Sequence, residues 1–329
     1  MTEKSFVHLH NHSEFSFIDG SSLLDSMASI CNNLGMPAIA LTDHGNMYGA
    51  IDFYNACKTK NIKPIIGCEF YIAPKSRFDK DPSYSYDHLT VIAKNNLGYS
   101  NLIKLVSKGN LEGFYYRPRI DKEILKEHSE GLIVLSGCPS AELFKKIVSG
   151  DEKSIMDTID WYKEVFGDDY YLEIMRHEHV DNQEKVNQWI INNYKQLNVK
   201  IVATNDNHYE TKNDYEKEIL LKNVRSGSSN PRSDILEDNS YYIASPEEMR
   251  EKFKDVPEAC DNTLEIADKC NIEIDFSGTM IPEFKTPENK DSFSYLKELC
   301  EEGLIRKFPE PSEEITDRLN YELSVIKET

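Results

Sequence analysis

The 329-residue chain is 39% hydrophobic and carries a formal net charge of −19, which supplies a sizeable core but not the basic surface of a protein that grips nucleic acid tightly by itself. No run approaches the roughly 18 apolar residues of a membrane span, and the opening MTEKSF lacks the order of a signal peptide, so a cytoplasmic protein without a membrane partner is expected. Seven cysteines scattered without a CxxC pair argue against a disulfide framework or a four-cysteine zinc knuckle.

In chain order, FVHL, PAIALT, KPIIGCEFYIA, LTVIA, GLIVLS, YYLEIM and KIVAT read as strands, being short and rich in Val, Ile and aromatics. Between most of them lie windows such as SLLDSMASICNNLG, LGYSNLIKLVSKGN and NQEKVNQWIINNYKQLN, with apolar residues at three-and-four spacing. The repeated βα pattern predicts an α/β protein with a parallel sheet, and the lack of a glycine-rich dinucleotide turn favours a closed, TIM-like barrel. After residue 212 the pattern changes. GSSNPRSDILEDNS reads as a polar loop, residues 245–270 as helical, and IPEFKTPENKDS as a connector. A boundary near residue 276 divides the chain into 1–275 and 276–329. Beyond it, FSYLKELCEEGLIRKF and EEITDRLNYELSVIKET read as amphipathic helices, a C-terminal helical extension. The last helix reaches the chain end uncapped, which predicts a truncated sequence.

Three of the nine histidines stand at alternate positions, His8, His10 and His12, in HLHNHSEFSFIDG. Alternate side chains of a strand share a face, so the three are expected to point one way at the end of the first strand. Other strand ends carry the same residue types: Asp43 and His44 in LTDHGN, Glu69 in GCE, His88 in YDHLTV, Cys138 in LSGCPS, and Asp206 and His208 in ATNDNHY. Strand ends of a barrel converge on one face, and imidazole, carboxylate and thiolate are the ligands of Zn²⁺ and related ions. With Asp19, the set His10, His12, Asp19, His44, Glu69, His88, Cys138, Asp206 and His208 exceeds the needs of one ion, and two or three divalent ions are expected.

HLHNHS with Asp19 downstream, then TDHG, GCE, DHL, SGC and NDNHY in that order, resembles the motif set of the polymerase and histidinol phosphatase (PHP) superfamily. LGMPAIALTDHGNMYGAIDFY, IKPIIGCEFYIAP, SPEEMREKF, ACDNTLEIA and RLNYELSVIK resemble more narrowly the N-terminal region of bacterial replicative DNA polymerase III α subunits. The resemblance implies a distorted seven-stranded (βα) barrel holding up to three metals, with 1–275 a phosphoesterase domain and 276–329 a connector and the start of a palm region. It implies that His10, His12, Glu69 and Asp206 hold one ion and that Asp19, His44 and His208 hold a second. Glu69 would bridge to a third held by His88 and Cys138. KNVRSGSSNP departs from the family's usual glutamine-threonine-glycine stretch, which leaves the contacts of loop 223–240 open. Expected partners are a DNA 3′ end, bound weakly in isolation, the remainder of the polymerase α subunit and other replicase subunits.

Clustered divalent ions lower the pKa of a shared water and clamp phosphate oxygens, the logic of phosphoester hydrolysis. Asp19, His44, Glu69, Asp206 and His208 are accordingly the candidate catalytic residues. A thiolate at Cys138 favours Zn²⁺, with Mn²⁺, Fe²⁺ or Mg²⁺ as alternatives. His8 and Asp43 are candidates to hold a ligating imidazole by its other ring nitrogen. Tyr116, Arg117 and Arg119 in FYYRPRID are candidates for binding a substrate phosphate or stacking a base. Glu273 and Asp275 in IEIDF mimic a polymerase carboxylate pair without nucleotide-binding context, so no polymerase site is expected in this chain. Two functions remain: a metal-dependent 3′–5′ exonuclease with a proofreading role, and a catalytically silent, metal-stabilised platform that braces a polymerase and docks a separate exonuclease.

Overall fold

The computed structural model describes residues 5–17, 19–83, 85–226, 239–278 and 284–328. Most of the polar stretch 227–240 and the start of the connector at 281 lie outside the described residues. The chain divides into two compact units, one ending at Ile274 and one beginning at Asp275.

The first unit is built on a curled sheet that has seven strands among the described residues: β1 Ala38–Leu41, β2 Lys63–Ile72, β3 Asp87–Ala93, β4 Arg119–Ile120, β5 Leu132–Leu135, β6 Tyr170–Ile174 and β7 Lys200–Ala203. The order along the sheet is β1-β2-β3-β5-β6-β7, with β4 paired to β2 off that path. FVHL, expected as a strand, forms none. Residues 8–11 instead make single parallel bridges, His8 to Ile39 on one side and Asn11 to Asn207 on the other, and so join the two ends of the sheet. The result is the distorted, TIM-like barrel that the sequence predicts.

The sheet is mixed rather than parallel. β3 runs antiparallel to both β2 and β5, because no helix intervenes between β2 and β3 to carry the chain back for a parallel return. The remaining connections carry helices: α1 Leu24–Asn33, α2 Ala50–Thr59, α3 Asn96–Leu111, α4 Lys122–Glu127, α5 Glu142–Ser149, α6 Glu152–Phe166 and α7 Gln183–Leu197. α8 Tyr215–Ser226, α9 Pro246–Lys252 and α10 Pro257–Lys269 follow β7. Ser245 and Glu248 close a capping box at the start of α9, which fixes where SPEEMREK begins to coil.

Strand alternation sorts side chains into two faces. Leu132, Val134, Leu172, Ile174 and Ile201 belong to a large apolar cluster shared with residues of the surrounding helices, such as Leu102, Ile159 and Ile190. Ile65, Ile92, Ile133, Leu135, Tyr171 and Val202 form a second cluster with Ile266 and Ala267 of α10. Further along these inner rows the chain switches to polar types: Glu69 on β2, Thr90 on β3, Glu173 on β6 and Thr204 after β7, all buried. On β3 the polar end comes first, at His88 and Thr90, which is what an antiparallel strand requires to contribute to the same end of the barrel.

The second unit comprises α11 Ser292–Lys307 and α12 Glu313–Glu328. Asp291 caps α11 by accepting from the Ser294 backbone N–H.

Candidate metal centre

Glu69 is the hub. It is 1% exposed, and its two oxygens divide the neighbouring side chains between them. Oε1 lies 3.0 Å from His88 Nδ1, 3.3 Å from Cys138 Sγ and 3.4 Å from His10 Nε2. Oε2 lies 2.6 Å from His44 Nδ1 and 3.6 Å from His12 Nε2. Asp206 Oδ1 approaches His10 Nε2 at 3.3 Å and His12 Nε2 at 3.1 Å. Asp19 completes the ring, with Oδ1 3.0 Å from His44 Nε2 and Oδ2 3.9 Å from His208 Nε2. All nine sequence-predicted ligand positions thus converge.

Local backbone explains the aim of several of them. His44 is followed by Gly45 at φ +62°, where a Cβ would come within 2.8 Å of Pro118, so the turn that presents the imidazole admits no side chain there. Asp206 itself sits at φ +48°, a conformation that Asp tolerates better than most residues. Its neighbours hold it in place: the Asn205 side chain donates to Ser240 O and Tyr242 O, and that of Asn207 donates to Asn11 Oδ1. His208 donates from Nδ1 to Asp206 O at 2.7 Å.

The electrostatics are those of a site built for positive charge. His10 Nε2, His44 Nδ1 and Glu69 Oε2 are buried without a hydrogen bond among the described residues, although they face neighbouring polar atoms at 2.6–3.6 Å. Such orphaned, mutually facing atoms are costly in a folded interior, and a shared divalent cation would satisfy them. Burial alone would lower His10, yet Asp206, Glu173 and Glu69 hold its imidazolium well above the ordinary histidine range. His44 is likewise raised against burial by Asp19 and Glu69. Burial, then the neighbouring His44 and His208, push His12 down to about 3. Burial would raise the carboxyl groups of Glu69 and Asp206, but His88, His44 and His10 hold the first, and His10 and His208 the second, far below the usual carboxylate range. Burial, then Glu69 and Asp206, keep Cys138 a thiol well above its ordinary value. Three ligand-type groupings arise from these atoms: His12, His44 and His208; His10, His12 and Glu69; and His44, Glu69 and His88. The donor set of imidazoles, carboxylates and one thiol fits Zn²⁺-like ions.

The expected supporting residues need correction. His8 does not reach a ligand-type imidazole: its ring nitrogens face Ala244 O and the Asn207 amide, each at 2.9 Å. Val7 and Leu9 line the barrel interior, which turns His8 outward, and the backbone bend at His10 resets the alternation. Asp43 acts at one remove. It accepts from Ser13 and from Ser16 Oγ at 2.7 Å, and Ser16 Oγ lies 3.0 Å from His12 Nδ1. Side chains that directly face a ligand-type ring nitrogen from behind include Ser16, Glu173 and Thr90, none of which the sequence reading singled out. The one available signal for Glu173 was an acid inside the apolar run YYLEIM.

Arg119 is a structural residue. β4 pairs its backbone with Tyr71, and the residue, 3% exposed, donates from its guanidinium to Gly113 O, Arg77 O and Asp79 O. Arg117 lies over the Tyr71 ring at 5.9 Å, and Tyr71 packs 5.1 Å from His88 and 6.0 Å from His44. Tyr116 is 76% exposed at φ +59°.

A fold that gathers nine ligand-type residues at one end of a curled sheet defines a class, and the chain belongs to it: the PHP domain family, whose model matches residues 8–177. The chain is 42% identical to the DNA polymerase III subunit alpha of Borreliella burgdorferi over 98% of its own length and 28% of that protein's. It is 40% identical to the same subunit of Treponema pallidum, covering 99% of this chain and 28% of that one. The chain therefore spans under a third of these curated relatives. A solved two-domain protein of Bacteroides vulgatus, described as containing a predicted PHP-like metal-dependent phosphoesterase, is similar at a TM-score of 0.39 and 12% identity, over 80% of this chain and 69% of that one. Among the described residues no helix is long and apolar enough to cross a membrane.

Proposed function

We propose that residues 1–275 form a metal-dependent phosphoesterase domain of a cytoplasmic replicative DNA polymerase, removing nucleotides from DNA 3′ ends, and that 276–329 lead into the polymerase region. The observation that carries this reading is the set of buried, mutually facing atoms at His10 Nε2, His44 Nδ1 and Glu69 Oε2. When bound, two or three divalent ions supply Lewis-acid charge that lowers the pKa of water and steadies a phosphate.

His10, His12, Glu69 and Asp206 would hold one ion, Asp19, His44 and His208 a second, and Glu69, His88 and Cys138 a third. Glu69, with neighbours on both oxygens, would be shared between ions. Asp19 and His88 are the more exposed members, with side chains 28% and 16% accessible, so the substrate phosphate enters between them. Arg117 beside Tyr71 would then receive a phosphate oxygen, and the exposed Tyr116 offers a ring to the terminal base. Beneath the ligands lie the buried polar residues Thr90, Glu173 and Thr204 and then the apolar row of Ile92, Tyr171 and Val202.

The test is the purified chain loaded with Zn²⁺ or Mn²⁺ and offered a 3′-labelled oligonucleotide and an aryl phosphate. Release of mononucleotides that stops on chelation and in Glu69→Gln is expected. A fully loaded protein inert on both substrates would leave only the role of a metal-stabilised platform.

A further inference from the structure

We propose that Glu173 is a positioning residue that fixes the imidazole of His10 in the tautomer an ion requires and ties it to the turn bearing Cys138. This rests on the metal-centre reading above. Glu173 lies on the inner face of β6 with a wholly buried side chain. Its Oε1 accepts from His10 Nδ1 at 2.9 Å and from Thr204 Oγ1 at 2.6 Å, and its Oε2 accepts from the Gly137 backbone N–H at 2.9 Å. One carboxylate therefore joins four segments: the one carrying His10, β6 itself, the end of β7 two residues before Asp206, and the turn immediately before Cys138.

An ionised carboxylate can only accept. Once Nε2 gives up its proton, the remaining ring proton of His10 belongs on Nδ1 facing Glu173, which leaves the Nε2 lone pair directed between Glu69 and Asp206, at 3.4 and 3.3 Å. Imidazoles that bind metal characteristically donate their other ring nitrogen to a carboxylate in this way. Thr90 Oγ1, 3.2 Å from the same nitrogen, is an uncharged and weaker second partner. On the other oxygen, Gly137 stands at φ +94°, where a Cβ would lie 2.8 Å from Ala141 Cβ. Its N–H is thereby aimed at Glu173, and the next residue's sulfur reaches Glu69 Oε1 at 3.3 Å and His88 Nδ1 at 3.5 Å.

Glu173→Gln in the full chain isolates the effect. The glutamine oxygen keeps the Gly137 N–H, so its amide NH₂ faces His10 Nδ1, which must then accept, and the ring proton moves to Nε2 where the ion should bind. Zn²⁺ affinity measured against a chromophoric chelator is expected to fall roughly 10–100-fold, with less loss in Thr90→Val. ¹⁵N-histidine spectra of the metal-free proteins, taken with the imidazoles neutral, should show the His10 proton on Nδ1 in the parent and on Nε2 in the variant. Equal zinc affinity in parent and Glu173→Gln would overturn the role of Glu173 while leaving the metal centre standing, whereas a parent that binds no zinc overturns both. If the variant does not fold, the parent spectrum decides alone, and a neutral His10 carrying its proton on Nε2 contradicts the proposal.

Discussion

Around Arg77 and around Glu69 the same domain buries ionisable side chains, and the two clusters are wired differently. Arg77, 8% exposed, donates from Nε to Glu112 at 2.6 Å and from Nη1 to both oxygens of Asp121 at 3.1–3.2 Å. Asp121 in turn accepts the Arg77 and Ile124 backbone N–H groups, the second as the cap of α4. The neighbouring Arg119 spends its guanidinium on three carbonyls. Donors there meet acceptors, and the cluster is complete as it stands. Around Glu69, ring nitrogens and carboxylate oxygens lie within contact distance, yet His10 Nε2, His44 Nδ1 and Glu69 Oε2 make no hydrogen bond among the described residues. A closed ion network stabilises a fold by itself, whereas an open one of this composition is compatible with a bound cation.

Breaking the closed cluster should have the largest effect. Arg77→Ala strands Asp121 as a buried unpaired charge, so denaturant unfolding should report a loss of about 3–5 kcal/mol. The loss should be the same with and without chelator; a deficit confined to metal-loaded protein would erase the distinction between the clusters.

Metal removal should come next. A ligand at 100 times its dissociation constant stabilises by about 2.7 kcal/mol, so a chelator should lower the melting temperature of the parent and of Arg77→Ala by similar free energies. Glu69→Gln should show a clearly smaller metal-dependent increment. Equal increments in all three proteins would place the ions elsewhere.

Proton linkage sharpens the contrast. His10 and His44 are raised well above 6.5 by their carboxylate neighbours, so metal-free protein at neutral pH holds protons that an ion must displace. Binding therefore releases protons, and affinity rises with pH until those imidazoles are neutral. Calorimetry in buffers of different ionisation enthalpy should detect that release at pH 7, and no dependence on buffer would refute it.

The smallest effects separate two arginines that look alike in FYYRPRID. Arg119→Ala removes the donors of three carbonyls and should cost about 1–3 kcal/mol. Arg117→Ala should change stability by less than about 0.5 kcal/mol while weakening oligonucleotide binding. The reverse ranking would return Arg119 to the substrate site.

That pair also marks what the sequence made legible. Ligand types at the ends of predicted strands were readable because a barrel brings those ends together whatever the detailed pairing, and His44, Glu69, His88, Cys138, Asp206 and His208 do meet. Period-two alternation failed between Leu9 and His10 because the backbone bends there, so His8 faces Ala244 instead of the cluster. The two-residue strand β4 carries no apolar run to announce it, and Arg119 consequently read as a candidate for substrate phosphate rather than as part of the sheet. Glu173 was hidden because an acid inside an apolar strand has no spacing signature; its meaning comes from His10, Gly137 and Thr204, which only folding brings to it. The antiparallel β3 was readable in principle from the lack of a helical window between residues 73 and 86.

The central claim is that the cluster around Glu69 is a multinuclear metal centre, and elemental analysis of purified protein after resupply with Zn²⁺ or Mn²⁺ tests it most directly. Two to three equivalents per chain are expected in the parent, with fewer in Asp206→Asn and Cys138→Ala; at most one equivalent in the fully resupplied parent would contradict the account.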